Sequence, residues 1–506
     1  MSDPVLAPTV YHHFRRLEAM LQKLRPAFSR GATFMWFCAH VLGQICRRDA
    51  RGVSSDVRAL GLDANSYDSL IRLFRSTAWS ADRLRRAWYS LLAGLGCLLT
   101  YADRLVLCSD GCKLTKEGVR MPGVKRQHQG SETVSKPEFM FGYLFGCVGV
   151  LIGVPGACHC VPMKMNVQDG LRAAAGWEGA AEAGISGETH VVQSVHCAFE
   201  AARALGRRCL LAMDAYFLAA PALRVLVEEN ARAAADGLGE GFVHLVTKAK
   251  KTFVGYEPPV RKRGTSGRPP KKGDRVDVGK NARRLLYHEV TALVGGRETR
   301  LLASTLDLVW GRGVWAPVRV VVVLGLGTHK PQILVTTDLT LSAREVIECY
   351  SLRWNIECSF RDMKVELLGL AFRFWSRSVP RLDRFAKRGT PDRLESVTDP
   401  ADRAAILAAA EAIERYVACS CVALGLLQIL ANSEREDGPV ARAVFRRTFR
   451  LAAVSVVSLR EYLRDRVSGA IGGMRASEMM RFIRDHQVGP EGYSPRPSQV
   501  TPEKGR

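Results

Sequence analysis

The stretch YSLRWNIECSFRDMK, residues 350–364, decides how this sequence is interpreted. No Pro or Gly interrupts residues 341–368. Ser342, followed three residues later by Glu345, has the spacing of a capping box at a helix start. Together these features predict a helix from about Ala343 to Leu368.

Two stripes of side chains run along this predicted helix. At about 100° per residue, the first stripe is roughly 60° wide and holds Tyr350, Arg353, Glu357 and Lys364. The second is apolar and can enter a core; it holds Ile356, Phe360, Met363, Leu367 and Leu370. An aromatic ring, two cations and a carboxylate suit a phosphate backbone next to a bound metal. The alternative is a solvated face with helix ion pairs.

The spacing of the first stripe resembles a known signature. Tyr350, Arg353, Glu357 and Lys364 match, without a gap, the YREK pattern of bacterial insertion-sequence DDE transposases. The segment 334–339 that precedes the helix is similar to the strand and turn found there in that family. The resemblance covers roughly residues 100–375, and it implies an enzyme that cuts and joins DNA.

Composition points to the same kind of partner. The chain has 506 residues, 47% of them apolar, and a net charge of +23. We expect about two to four domains and a polyanionic partner, with nucleic acid favoured over an anionic membrane surface. Fourteen Cys without a secretory signal pattern predict reduced thiols, and the absence of a CxxC pair disfavours zinc at Cys158-His159-Cys160.

Two short apolar runs each lead to an aspartate. Leu105–Asp110 and Cys209–Asp214 are predicted strands that end on a carboxylate, the first followed by Gly111, which allows a sharp turn. Around them the order is three strands, helix, strand, helix, strand. This order predicts an RNase H-like mixed sheet flanked by helices, with first and fourth strands adjacent, so that Asp110 and Asp214 meet. An isolated Asp after a strand is more often a turn or cap residue.

The predicted domain organisation follows from these segments. Residues 1–100 are helical and form a candidate DNA-binding domain; 101–250 and 342–435 form the catalytic domain; 251–341 are a β-rich insertion; 436–490 are helical; and 491–506 form a disordered tail. The apolar run Phe139–Met163 contains several Gly and is predicted to form two buried strands rather than a membrane helix.

The resemblance implies roles for individual residues. It implies that Asp110, Asp214 and Glu357 are catalytic and hold two Mg²⁺, with Mn²⁺ as a substitute. Asp338 is left outside this triad, and Asp362 is predicted to face solvent. The residues predicted to bind DNA are Tyr350, Arg353, Lys364, Arg261, Lys262, Arg263, Arg268, Lys271, Lys272, Trp310 and Trp315.

The predicted function is a prokaryotic transposase in the cytoplasm, associated with the nucleoid. Its predicted partners are transposon-end DNA, target DNA and a second copy of the chain in the synaptic complex. The alternatives are an inactive transposase-derived DNA-binding protein and a basic membrane-surface protein.

Overall fold

The computed structural model describes residues 7–129, 137–260, 268–327, 330–387, 389–434, 438–445, 454–489 and 492. Arg261, Lys262 and Arg263 lie outside the described residues, as does the predicted tail apart from residue 492.

The N-terminal region is helical, as predicted. Its helices are α1 (Ala7–Gln22), α2 (Gly31–Cys46), α3 (Val53–Leu60), α4 (Ala64–Leu73) and α5 (Ala81–Ala93). Short polar residues cap two of them: Asp63 accepts from the Ser66 N–H, and Ser80 from the Arg83 N–H. These helices bury their apolar faces in a core shared with the sheet and the C-terminal helices.

The elements that follow keep the predicted order of strands, helix, strand, helix and strand. They are β1 (Thr100–Tyr101), β2 (Arg104–Thr115), β3 (Lys125–His128), β4 (Phe139–Val154), β5 (Ala157–Val167), α6 (His190–Leu205), β6 (Cys209–Met213), α7 (Ala220–Ala235) and β7 (Val243–Ala249). Two short strands, β1 and β3, are added to the three predicted before the first helix. The strand order β5-β4-β2-β6-β7 is antiparallel up to β2 and parallel from β2 to β7. This mixed sheet with flanking helices is consistent with the predicted RNase H-like fold.

The glycine-rich apolar run forms strands, as predicted. A Cβ at Gly142 would lie 1.9 Å from the Leu114 carbonyl oxygen of the neighbouring strand. Glycine is therefore needed for close strand approach at this position.

The insertion is β-rich, and its strands extend the same sheet. Its elements are β8 (Val254–Tyr256), β9 (Arg275–Asp277), α8 (Val278–Asn281), β10 (His288–Val294), β11 (Arg297–Trp310), β12 (Ala316–Leu324) and β13 (Gln332–Thr336). Because β13 pairs with β7, the sheet continues as β7-β13-β12-β11-β8-β9. A second, smaller core containing Phe253, Leu308 and Val320 lies under these strands.

The predicted long helix begins at Ala343 with the expected capping box, but it is not regular. It consists of α9 (Ala343–Leu352), α10 (Trp354–Arg361) and a π-helical segment, Asp362–Glu366. At the first break the Arg353 N–H bonds to the Tyr350 carbonyl at 3.2 Å, a tighter turn than in an α-helix. In the π segment the Leu367 N–H reaches the Asp362 carbonyl at 2.7 Å.

The prediction that Asp362 faces solvent is wrong. Its side chain is buried and paired with Arg361 at 3.1 Å. The reason is tertiary: the C-terminal helices α11 (Pro400–Asn432) and α13 (Val456–Gly473) pack against the π segment on the side that an isolated helix would leave open.

The remaining described helices are α12 (Pro439–Ala443) and α14 (Glu478–Asp485). Within the described chain, α11 alone is long and apolar enough to cross a membrane, but 89% of its apolar window is buried inside the protein. Such burial is typical of a helix in the core of a folded protein.

Candidate functional site

Asp110 and Asp214 lie side by side at one edge of the parallel sheet. The parallel register of β2 and β6 ends on the pair Ser109 and Met213, and each Asp is the next residue along its chain. The Thr247 hydroxyl on β7 donates to the Asp214 carbonyl at 3.0 Å and fixes the backbone there. Strand register thus brings together two carboxylates that are 104 positions apart in the sequence.

The prediction that β2 ends at Asp110 is wrong. The strand continues to Thr115, and Gly111 lies inside it rather than at a turn. The cause is β4, which pairs with β2 beyond the end of its parallel partner, from Leu107 through Thr115. Asp110 is consequently held by an antiparallel neighbour on one side and is free of a strand partner on the other.

Arg353 links the strand to the helix. Its guanidinium donates to Asp110 Oδ2 at 2.9 Å and to Glu357 Oε1 at 2.6 Å. The central carbon of the same guanidinium lies 6.0 Å from the centre of the Tyr350 ring. Tyr350, Arg353 and Glu357 therefore converge on Asp110, as the predicted stripe requires.

The electrostatics of the site combine burial with neighbouring negative charge. Burial raises the pKa of Asp110 to about 6, and the nearby Asp214 and Glu357 add to the rise, while Arg353 and the Gly111 N–H oppose it. Burial also disfavours the charge on Arg353, but Asp110, Tyr350 and Glu357 outweigh it, so the pKa of Arg353 lies above its ordinary value. One guanidinium thus pairs with two carboxylates, and a third, Asp214, lies beside the first of them.

The chemistry of this donor set fits a divalent cation, because hard cations prefer carboxylate oxygens and relieve their mutual repulsion. Among the described residues, however, no group of three or more His, Cys, Asp or Glu side chains is spaced to hold one ion. Arg353 spans Asp110 and Glu357 in this arrangement. Arg353 occupies Asp110 Oδ2 and Glu357 Oε1, so an ion that bound through both of these oxygens would displace it.

Lys364, the last residue of the stripe, lies in the π segment. Its ammonium donates to the Lys113 carbonyl at 2.7 Å and lines a large cavity beside β2. Asp338 lies apart from the triad: it is buried, accepts from the Thr340 hydroxyl at 2.6 Å and pairs with Arg104 at 2.7 Å.

The predicted DNA-binding residues of the insertion differ in their exposure and contacts. Arg268 and Lys271 are exposed. The Lys272 ammonium sits over the rings of Tyr256, at 3.7 Å, and Trp315, at 4.6 Å. Trp310 instead stacks on Phe253 with ring centres 5.9 Å apart, a packing contact in the small core.

Comparison with known proteins bears on the same region. Residues 195–379 match the family model of the transposase DDE domain. The match supports a DDE transposase. It covers a little over a third of the chain, including Asp214 and Glu357, and begins after Asp110, whose assignment therefore rests on geometry. Transposases of this kind act on DNA and generally use divalent metals. No curated protein matches the chain.

Sequence reasoning missed several side chains near this DDE region. Tyr216, just after Asp214, is exposed and stacks on His190 with ring centres 4.7 Å apart. Trp375 is exposed at the cavity that Lys364 lines. The sequence signal near Trp375 is the run Phe372-Arg373-Phe374-Trp375, where one cation stands among three aromatic rings in a segment without helical or strand periodicity.

Proposed function

We propose that this protein is a transposase of the YREK group that hydrolyses the phosphodiester at transposon ends and then joins the freed 3′-OH to target DNA. One observation carries the proposal: Arg353 bonds to both Asp110 and Glu357, and strand register puts Asp214 next to Asp110. Three carboxylates from two strands and a helix thus share one edge of the sheet.

In this proposal Asp110, Asp214 and Glu357 hold two Mg²⁺ ions, or Mn²⁺ in their place. When bound, the ions supply an activated water and stabilise charge on the phosphate. The sheet and the packed helix keep the carboxylates rigid, which favours a fixed geometry.

The other residues of the stripe position the DNA. Arg353 changes partner, from the carboxylates to a phosphate of the transposon end, where its planar fork suits phosphate oxygens. Tyr350 contacts a phosphate or sugar near the cut, and Lys364 acts as a point charge farther along the strand. Exposed Arg268 and Lys271, with Trp315, provide a second DNA contact from the insertion.

The proposal includes an assembly of two chains on DNA. Two copies of the chain hold two transposon ends in a synaptic complex, with the N-terminal helices of each reading an end. The protein acts in the prokaryotic cytoplasm, at the nucleoid.

The test is Mg²⁺-dependent cleavage of a duplex that carries the element's terminal inverted repeat. Asp214→Asn should bind this duplex but leave it uncut. The matched control is Asp236→Asn, the same chemical change at a largely exposed Asp next to the end of α7. Equal cleavage by Asp214→Asn and the unchanged protein would remove Asp214 from the site. Specific binding without cleavage by the unchanged protein, in either metal, would instead favour an inactive DNA-binding protein.

A further inference from the structure

A long concave surface leads away from the triad on the side of Lys364. Its first part is a cavity of about 900 Å³ whose lining includes Lys116, Arg120, Lys364, Arg373 and Trp375. Its second part is a cavity of about 570 Å³ between the tips of β3 and β4 and residues 381–384, 386, 387 and 390–393. Arg384 in the second part donates to the Glu117 carbonyl in the first, at 2.7 Å, so the two parts adjoin. We call the whole surface the basic groove.

The positive charge of the basic groove is largely uncompensated. Four cations and one acid line the first part, and six cations and two acids line the second. The first-part lysines are held by neutral carbonyls: Lys116 bonds to those of Leu370 and Phe372 at 2.8 Å, and Lys364 to that of Lys113. Backbone carbonyls fix these side chains in place without cancelling their charge, so the groove favours a polyanion.

Aromatic rings are exposed along the same groove. Trp375, in the first part, is 54% exposed, and Phe139, in the second part, is 38% exposed. The Arg126 guanidinium lies 4.0 Å from the ring centre of Phe139, which adds a flat stacking surface. Unpaired bases stack on such rings, whereas the bases of a duplex are already stacked on each other.

We propose that the basic groove binds single-stranded DNA, specifically the strand that leaves the triad after the cut. Cations along the groove contact the phosphates, and Trp375 and Phe139 stack on unpaired bases. The identity of the strand rests on the proposed function, but affinity for a single strand does not require that the triad cuts DNA.

The experiment compares binding of the full chain to a labelled single strand of about 15 nucleotides with binding to a blunt duplex of the same sequence. Trp375→Ala should weaken binding of the single strand at least about tenfold, the effect of losing one stacked base. Trp375→Phe should restore most of it, and duplex binding should be unchanged. Arg373→Ala should shallow the log–log salt dependence for the single strand by about 0.7 unit, against no change for Arg232→Ala on α7, whose side chain is 63% exposed.

Unaltered single-strand affinity in Trp375→Ala, with its thermal unfolding also unaltered, would overturn the proposal. So would an equal loss for single strand and duplex, which would make the groove a duplex site. Asp214→Asn separates this proposal from the previous one: it should bind the single strand normally. If Asp214→Asn still cuts ends while Trp375→Ala loses the single strand, the triad assignment fails and the groove stands.

Discussion

Two polar assemblies in this protein each centre on one arginine, and they differ in how their charge is balanced. At the triad, Arg353 pairs with Asp110 and Glu357 while Asp214 lies beside Asp110, and the side chains of Asp110 and Glu357 are 21% and 35% exposed. Between the N-terminal helices and α11, Arg47 faces a single acid, Asp56, at 3.6 Å, and both side chains are 0% exposed.

Most polar groups of the interior assembly have a partner within the fold, although no hydrogen bond from the described residues reaches Asp56 Oδ1. Arg47 donates to the Tyr416 hydroxyl at 2.8 Å and to the Leu367 carbonyl at 3.1 Å, and Asp56 bonds to His40 at 2.8 Å. Because Leu367 directly follows the π segment, and that segment continues α10, this assembly also connects the N-terminal helices to the end of the helical stretch that includes Glu357.

The comparison teaches that a buried arginine–carboxylate pair does not by itself mark a functional site. The interior pair is shielded from solvent and has one acid for its one cation, an arrangement that serves stability. The triad is open and has surplus acid, an arrangement that costs stability and gains from a bound cation. An excess of negative charge at an accessible position is therefore the feature that distinguishes the triad from the interior pair.

The largest expected effect is at the triad. Asp110→Asn should lower end cleavage at least about 10³-fold, because metal ligands act as one unit. Its stability at pH 7 should hold or rise, by up to about 3 kcal/mol, because burial raises the pKa of Asp110 to about 6 and its ionised form is therefore disfavoured in the fold. Cleavage assays and thermal unfolding of the same preparation test both parts. A strongly destabilised Asp110→Asn would place this residue with the scaffold.

The interior assembly should respond in the opposite way. Asp56→Ala leaves the buried Arg47 without its carboxylate, and we expect a loss of about 3–5 kcal/mol in the free energy of unfolding. Asp82→Ala, which removes a half-exposed partner of Arg86, should cost only about 0–1 kcal/mol. Urea titrations of the two variants measure the contrast. Similar midpoints would mean that the interior pair contributes no more than a surface pair.

Glu414 on α11 allows the effect of burial on the pKa of a carboxyl to be tested apart from that of neighbouring acids. Burial raises its pKa from 4.5 to about 7, while the Val167 N–H, 2.7 Å away, opposes the rise. A carboxyl with a raised pKa contributes stability below its unfolded value, and that stability is lost as pH rises through about 7. Glu414→Gln should therefore match the unchanged protein near pH 4 and exceed it by up to about 3 kcal/mol above pH 7. Parallel stability–pH curves for the two proteins would contradict this.

The smallest effect is expected at Lys364, whose partner is a carbonyl rather than an acid. Lys364→Ala should shallow the log–log salt dependence of transposon-end binding by about 0.9 unit, the share of one phosphate contact. Folding should change little. Lys280→Ala, at a side chain that is 83% exposed, serves as the matched control. An unchanged slope in Lys364→Ala would make this lysine part of the scaffold only.

Local pattern predicted much of this molecule. The capping box at Ser342 predicted the start of α9. Two short apolar runs predicted the strands that lead to Asp110 and Asp214. The spacing from Tyr350 to Glu357 predicted the convergence of their side chains. These features depend on residues a few positions apart, so hydrophobic period and capping chemistry are sufficient to predict them.

Only the tertiary structure decided the rest. It extends β2 past Asp110, because β4 continues to pair there, and it buries Asp362, because α11 and α13 cover that side of the π segment. It also unites Lys116 with Trp375 in one groove. Strand ends, burial and cavities are set by partners tens to hundreds of positions away, and the period of a single segment carries no information about which partner will cover it.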